Sequence, residues 1–555
     1  MGQLWQPLDD LKVEDIPQKK VPNWKLAGPG AILVGLSIGA GEIIIWPRIA
    51  AEFGAAMIWA AVLGVFIQMW VNLEIARWTV ATGETVYTGY CRIWRGFAPL
   101  FILLTLFSWI APGWGRASGL ALKALLVGTE GWGSDTFWTV VTFAAVALVL
   151  FGPKLIYKSV ERSIKVLVLL ITVGLIMVAV AVGSAATWSD LGRGIVNFGG
   201  VEPNGKRRLN VESDLAQELD RAVVSDVLRA SLIKDLDLKD GDLKEGVSVE
   251  VETPGRAWRI HIHDKVYPVE RRDDAFMATT PALTVKALFI ALVFAGAGGT
   301  SNLFYTFYLR DKHIGMGARL PSMQNPLRGT AEKIPATGFC FVDNEVNQAR
   351  FRSWWRFVKQ DQVLYFWLLN TFTMILFIFG ALAVLHPQGI VPGKGTLIWD
   401  QAAVLGSAWG KPGRTIFLLV GVATLFSTQL ALIDGVSRSV ADIIYTNFNW
   451  AARRNVSWWY LIIAASWIVA GCVITYVMER NGVSELGFLF NAAYMGGFAM
   501  AIYVPLTLII NYRFLPKTAR PGLICTTMTL IAALIYIGFA VSCIYFEIAS
   551  RVGSS

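Results

Sequence analysis

Apolar runs of about 20 residues, parted by polar or Gly/Pro-rich punctuation, recur along nearly the whole chain. At 1.5 Å of rise per residue, a helix of that length crosses the hydrocarbon of a bilayer. The runs fall at 29–53, 56–80, 101–126, 137–151, 164–185, 281–310, 363–385, 416–444, 458–477, 486–510 and 523–548. They predict an all-α polytopic membrane protein with about eleven transmembrane helices. The stretch 187–276 breaks the pattern, being polar and dense in mixed charge. It holds a helix-like piece, 215–232, then a period-two alternation of Val247, Val249, Val251 and of Trp258, Ile260, Ile262. A small α+β insert is expected there.

Composition agrees with this reading, since only 16% of the residues are charged against roughly 25% in a soluble domain. The net charge of +9 does not imply a nucleic-acid partner, because Lys and Arg cluster between the apolar runs. Basic residues mark alternate connections: the N-terminal segment, Arg92 and Arg95, then Lys154 to Arg162, Arg310 to Arg356, Arg453 and Arg454, and Arg513 to Arg520. The positive-inside rule then places the N-terminus in the cytoplasm and the C-terminus outside, with the insert extracytoplasmic. A bacterial inner membrane is the expected host. The expected organisation is a cytoplasmic segment (1–28), a first helical repeat (29–186) and the insert (187–276). A second repeat (277–515) with a cytoplasmic loop (311–356), and an eleventh helix with tail (516–555), complete it. The five cysteines are scattered without Cys-x-x-Cys spacing, which argues against disulfides or a zinc site.

Two spans stop reading as good helices at mid-membrane. The first holds Ile38-Gly39-Ala40-Gly41-Glu42, and the sixth holds Ala295-Gly296-Ala297-Gly298-Gly299-Thr300-Ser301-Asn302. Each Gly costs about 1 kcal/mol of helix stability relative to Ala, so local unwinding is expected at both. Unwound backbone survives in hydrocarbon only where it lines a cavity or is buried in protein. The same Gly-Ala-Gly occurs five spans apart, in halves of opposite orientation. That pattern marks an inverted 5+5 repeat with its substrate site at the two broken helices. Helix-packing seams of small residues are the competing explanation.

The expected substrate-binding residues are therefore Gly39, Ala40, Gly41 and Glu42 with Gly296, Gly298, Gly299, Thr300, Ser301 and Asn302. A carboxylate at the bilayer centre costs several kcal/mol unless paired or hydrated, so Glu42 needs a cation, a proton or a basic partner such as Arg116. Arg116, Asp434 and Gln429 are candidates for coupling or gating. Glu74 and Arg77, three apart on the second span, are expected to pair structurally. His261 and His263 share a strand face in the insert, a weak metal signal. No Ser/His/Asp grouping or phosphate-binding glycine loop suggests an enzyme.

Gly28-Pro29-Gly30 and Ala51-Glu52-Phe53-Gly54 resemble the opening of the Nramp (natural resistance-associated macrophage protein) divalent-metal transporters. Thr82-Gly83, the stretch from Val160-Glu161 to Val166, and Asn302-Leu303 followed by Tyr305 are similar to the family as well. The resemblance covers most of the helical part. It implies the inverted-repeat fold of the amino acid–polyamine–organocation superfamily, with one helix added. The family's site chemistry is replaced: Asp-Pro-Gly-Asn becomes Gly39-Ala40-Gly41-Glu42, and Met-Pro-His becomes Gly299-Thr300-Ser301. The family's acidic third-span residues align with Gly113 and Arg116.

Without thioether or imidazole, the remaining donors are hard oxygens, with Glu42 the one metal-ligating side chain. The expectation is a divergent Nramp-related secondary transporter moving Mg²⁺, Ca²⁺, Mn²⁺ or Na⁺ by alternating access, with no resident cofactor. An organic-solute carrier coupled to Na⁺ or protons is the alternative. A non-transporting sensor or scaffold that binds a protein through the outer insert is the second alternative.

Overall fold

The computed structural model describes residues 5–552 apart from 110–111, 202–203, 210–214, 223, 237, 239–246, 263–264, 273–274, 282, 284, 330–331, 394–395 and 484. Among the described residues, nine helices are long and apolar enough to cross a bilayer. These are Pro29–Phe53, Ile58–Thr82, Phe97–Leu126, Ile156–Val182, Glu345–Gln388, Ala403–Asn447, Val456–Arg480, Ala492–Phe514 and Leu523–Tyr545. Asp135–Phe151 is apolar but shorter. A further crossing is divided into Val285–Val293 and Tyr305–Asp311. In chain order these are the first to eleventh spans, the short helix being the fourth and the divided one the sixth.

Several boundaries move from the sequence expectation. The fifth span starts at Ile156 because Ile156, Tyr157, Val160 and Ile164 already form its buried stripe. The seventh reaches back to Glu345 because Phe351, Trp354, Phe357 and Val358 continue an apolar face beneath a polar one. The eighth begins at Ala403 and breaks direction at Gly410, whose φ of 60° is open to glycine. Outward faces are apolar at helical spacing: Leu169, Val173, Ile176 and Val180 on the fifth span, Leu534, Ile537, Val541 and Ile544 on the eleventh. Lipid is the solvent such faces suit.

The insert is a five-stranded antiparallel sheet. Its strands are β1 (Asn204–Leu209), β2 (Val247–Thr253), β3 (Ala257–Ile262), β4 (Lys265–Arg272) and β5 (Ala275–Pro281), in spatial order β1-β5-β4-β3-β2. The predicted alternation appears in β2 and β3, with Trp258, Ile260 and Ile262 buried against Leu228 and Leu232. The single helix expected at 215–232 is two, Leu215–Asp220 and Asp226–Asp235. Ser225 caps the second by accepting from the Leu228 amide.

The N-terminal segment and the insert sit at opposite ends of the bundle. Trp5 stacks on Phe448, and Lys12–Val13 pairs in parallel with Phe339–Cys340. At the other end Gly205 packs on Glu52 and Phe53, while the Arg208 amide donates to the Gly389 carbonyl at 2.8 Å.

Candidate transport site

The first span stays continuous, which corrects the expected unwinding. From Ile38 to Ile45 it widens into a π-helix between the α-helical pieces Pro29–Ser37 and Trp46–Phe53. Glycine weakens the α ladder here, and Pro47 removes the N–H that would bond the Ile43 carbonyl four residues back. The Gln401 amide donates to that carbonyl instead. Pro47 was the sequence signal for this distortion.

The glycines of this segment let other backbone come close. A Cβ at Gly41 would overlap the Phe294 carbonyl, and one at Gly39 would overlap the Thr428 hydroxyl. Ala40 lies in the same π segment. Glu42 is fully buried, and neither carboxylate oxygen has a hydrogen-bond partner of good geometry. The Thr373 hydroxyl of the seventh span faces it.

The sixth span does unwind, as expected. Helix ends at Val293, and a 3-10 turn runs from Gly299 to Phe304. Between them Gly298, at φ 71°, adopts backbone that disfavours any side chain. Freed polar groups are taken up by neighbours. Gln68 of the second span accepts from the Gly298 amide at 3.1 Å and from Asn302 Nδ2 at 3.3 Å. Tyr503 of the tenth span donates to the Gly299 carbonyl at 2.8 Å. Trp109 Nε1 donates to Thr300 Oγ1 at 2.9 Å. Ser301 donates back to the Ala297 and Gly298 carbonyls. Gly296 packs on Gln68 and Phe366, and Gly299 on Gly496.

Asn370 of the seventh span joins the two interruptions, bonding Ser37 and, at 3.3 Å, the Ala295 carbonyl. Asn370, Thr373, Ser37, Gln68 and Tyr503 were not singled out from the sequence. Polar residues in mid-span were the available signal.

The other candidates go elsewhere. Arg116 does not pair with Glu42. It bonds Asp135 at 3.2 Å and the Val483 carbonyl at 2.6 Å, beside Lys123, whose Nζ also reaches Asp135 at 3.2 Å. The reason is reach: Arg116 and Lys123 lie toward the insert end, where Asp135 begins the fourth span. Asp434 is not at the crossing but in an ion network at the N-terminal end, bonded to Arg438 at 2.9 Å. Gln429 lines a small cavity beside Trp109 and Trp114. Glu74 and Arg77 form the expected pair, at 2.8 and 2.9 Å. His261 lies 3.3 Å from Glu250, and His263 falls outside the described residues. Among the described residues no three His, Cys, Asp or Glu side chains converge.

A cavity of about 220 Å³ at the insert end runs between Ile44, Ala121, Lys123, Asp135 and Trp399. Ile44 follows Glu42 by two residues, so this vestibule leads toward the first-span distortion.

One widened and one divided helix meet at a common depth, inside a bundle whose outer faces suit lipid. This is the architecture of a polytopic integral membrane protein. No protein-family model and no curated protein matches the chain. Its fold is similar to that of the manganese transporter of Eremococcus coleocola. A crystal structure of a point mutant superposes with a TM-score of 0.59 at 13% identity, covering 98% of this chain and 92% of that one. A complex with an aromatic bis-isothiourea compound gives 0.52 at 14% identity, covering 97% and 99%.

Proposed function

We propose that this chain is a secondary-active transporter, a divergent relative of the Nramp metal transporters, that moves a hard cation by alternating access with Glu42 as the cation's carboxylate ligand. The carrying observation is the Glu42 carboxylate, fully buried at the distorted crossing with both oxygens unpartnered. An ionised carboxylate left so costs several kcal/mol, and a cation arriving from the vestibule removes that cost. The donors nearby are hydroxyl, amide and carbonyl oxygens, which favour Mg²⁺, Ca²⁺ or Na⁺ over softer ions. With one carboxylate, a divalent ion keeps part of its water. The ion's differential affinity for the two access states supplies the bias between them. On the positive-inside reading the N-terminal end faces a bacterial cytoplasm.

Uptake of Mg²⁺, Ca²⁺, Mn²⁺ and Na⁺ into proteoliposomes tests this directly. Wild type is expected to move at least one of them, and Glu42→Gln to bring that flux to the level of empty vesicles. Wild-type flux in the Gln variant removes Glu42 from the site.

A further inference from the structure

A cavity of about 230 Å³ lies where the insert meets the connection between the seventh and eighth spans. The insert forms one wall, with Arg207 and Arg208 of β1 and Lys234 near the end of the helix Asp226–Asp235. The bundle forms the other, with Ile390 and Val391 of the connection, then Thr396 and Asp400. The space matches that of the vestibule at Asp135, and Thr396 lines both. It has room for several waters as it stands, so no side chain has to move to admit a small solute.

Charge is left over on both walls. Arg207 is neutralised by Glu52, at 2.7 and 2.8 Å, and Asp235 accepts from Ser231 at 2.8 Å. Arg208 and Lys234 are exposed and enter no ion pair among the described residues; nor does Asp400. Asp400 Oδ2 accepts from the Thr396 hydroxyl at 2.8 Å and the Gly393 amide at 3.2 Å. Its Oδ1 has no such bond among the described residues. Burial holds the Asp400 carboxyl above its ordinary value despite those bonds and the nearby Lys234 charge, so the carboxylate is short of positive charge. Cations and a carboxylate thus face one cavity from separate walls without touching.

A ligand complementary to such walls carries both signs. Its carboxylate or phosphate meets the Arg208 fork and the Lys234 ammonium. Its own ammonium, a few bonds away, meets the Asp400 carboxylate, and its aliphatic part lies along Ile390 and Val391. A solute of one sign answers one wall and leaves the other half-dried and unpaired. We propose that this cavity binds a small zwitterion, an amino acid or the headgroup of a zwitterionic lipid, which bridges the insert and the bundle. Occupancy ties the insert to the connection whose Thr396 also faces the vestibule. The site does not depend on the transport reading above.

The test is calorimetric titration of the purified full-length protein at pH 7 and low salt. The probes are alanine, γ-aminobutyrate and glycerophosphoethanolamine, each against analogues that lack one charge. These are propionate and ethylamine for the first, butyrate and propylamine for the second, and glycerol 3-phosphate for the third. At least one probe is expected to bind at least ~10-fold more tightly than its one-charge analogues, since a site built to pair a group rejects ligands without it. Binding of an amino acid assigns a free solute; binding of glycerophosphoethanolamine alone assigns a lipid headgroup. The double variant Arg208→Gln, Lys234→Gln is expected to erase the preference over the amines. Asp400→Asn, whose amide oxygen still accepts from Thr396 and Gly393, is expected to erase the preference over the acids. The analogue comparison on wild type stands even if a variant fails to fold. No binding of any probe, equal binding of every analogue, or an unchanged preference in the folded double variant overturns the assignment. Zwitterion binding is expected to survive Glu42→Gln; its loss there would put the ligand at the mid-membrane crossing and overturn this site.

Discussion

The two ends of the helix bundle are held together by very different means. At the N-terminal end, Arg438 bonds Asp311 at 2.5 Å and Asp434 at 2.9 Å with all three side chains at 0% exposure. Tyr460 donates to Asp434 at 2.8 Å. Arg310 and Asp442 pair at 2.9 Å, each 4% exposed. At the insert end, Asp135 holds Arg116 and Lys123 at 3.2 Å with 11–23% of each side chain exposed, beside an open vestibule. Charges already dry are costly to separate, whereas half-wet ones are not. The N-terminal end is therefore sealed by a dry ion network, whereas the insert end keeps a cavity beside partly exposed ion pairs. Opening the N-terminal end would require the dry network to come apart.

Cutting that network should have the largest effect on stability. Arg438→Met leaves the Asp311 and Asp434 carboxylates buried without their cation, a loss of about 3–5 kcal/mol. The expected readout is a fall of several degrees in the thermal midpoint of the detergent-solubilised protein. A midpoint equal to wild type would mean that the network does not hold this end.

The N-terminal segment adds a second closure at the same end. The Gln6 amide donates to the Asn447 carbonyl at 2.8 Å, Arg92 Nη1 to the Asp9 carbonyl at 3.0 Å, and Trp354 Nε1 to the Pro17 carbonyl at 2.8 Å. Ile16 is fully buried. The strap thus crosses the ends of several spans, next to Cys91, which is 3% exposed. Burial pushes the Cys91 thiol up to about 12, so at pH 7.5 it is almost wholly protonated and a poor nucleophile. A raised pKa means less thiolate at a given pH. Exposure returns it toward about 8.5, where roughly one thiol in ten is ionised. With the other four cysteines changed to Ser, deleting residues 2–13 should raise maleimide labelling of Cys91 at pH 7.5 about tenfold, corresponding to roughly 1.4 kcal/mol of closure. Equal labelling rates with and without the strap would show that it bears no load.

How far this contrast was legible in the sequence depends on the range of each interaction. Apolar runs and glycine clusters are local, so the spans and the sixth-span break could be read directly. The first-span distortion was located but its form was not, because glycine content alone does not separate unwinding from π widening. The Pro47 and Ile43 spacing does. Partner choice is a long-range matter: nothing local to Glu42 or Arg116 reveals that Asp135, not Glu42, takes the guanidinium. In the insert, β2 and β3 alternate apolar and polar residues and were visible. β1, with Lys206, Arg207 and Arg208 in succession, was not, since Arg207 turns inward only to meet Glu52, at 2.7 and 2.8 Å.

The smallest expected effect tests the other side of the comparison. Asp135→Asn keeps the size of the side chain but removes the charge that Arg116 and Lys123 share. Arg116 retains its bond to the Val483 carbonyl, and Ser134 still caps the fourth span through the Phe137 amide at 3.1 Å. Lys123 and Asp135 line the vestibule, where water can replace the lost contact, so the loss is expected to stay below about 1 kcal/mol, a thermal midpoint within roughly 2 °C of wild type. A drop approaching that of Arg438→Met would mean that the insert end is locked as firmly as the N-terminal end. The asymmetry between the two ends would then be gone.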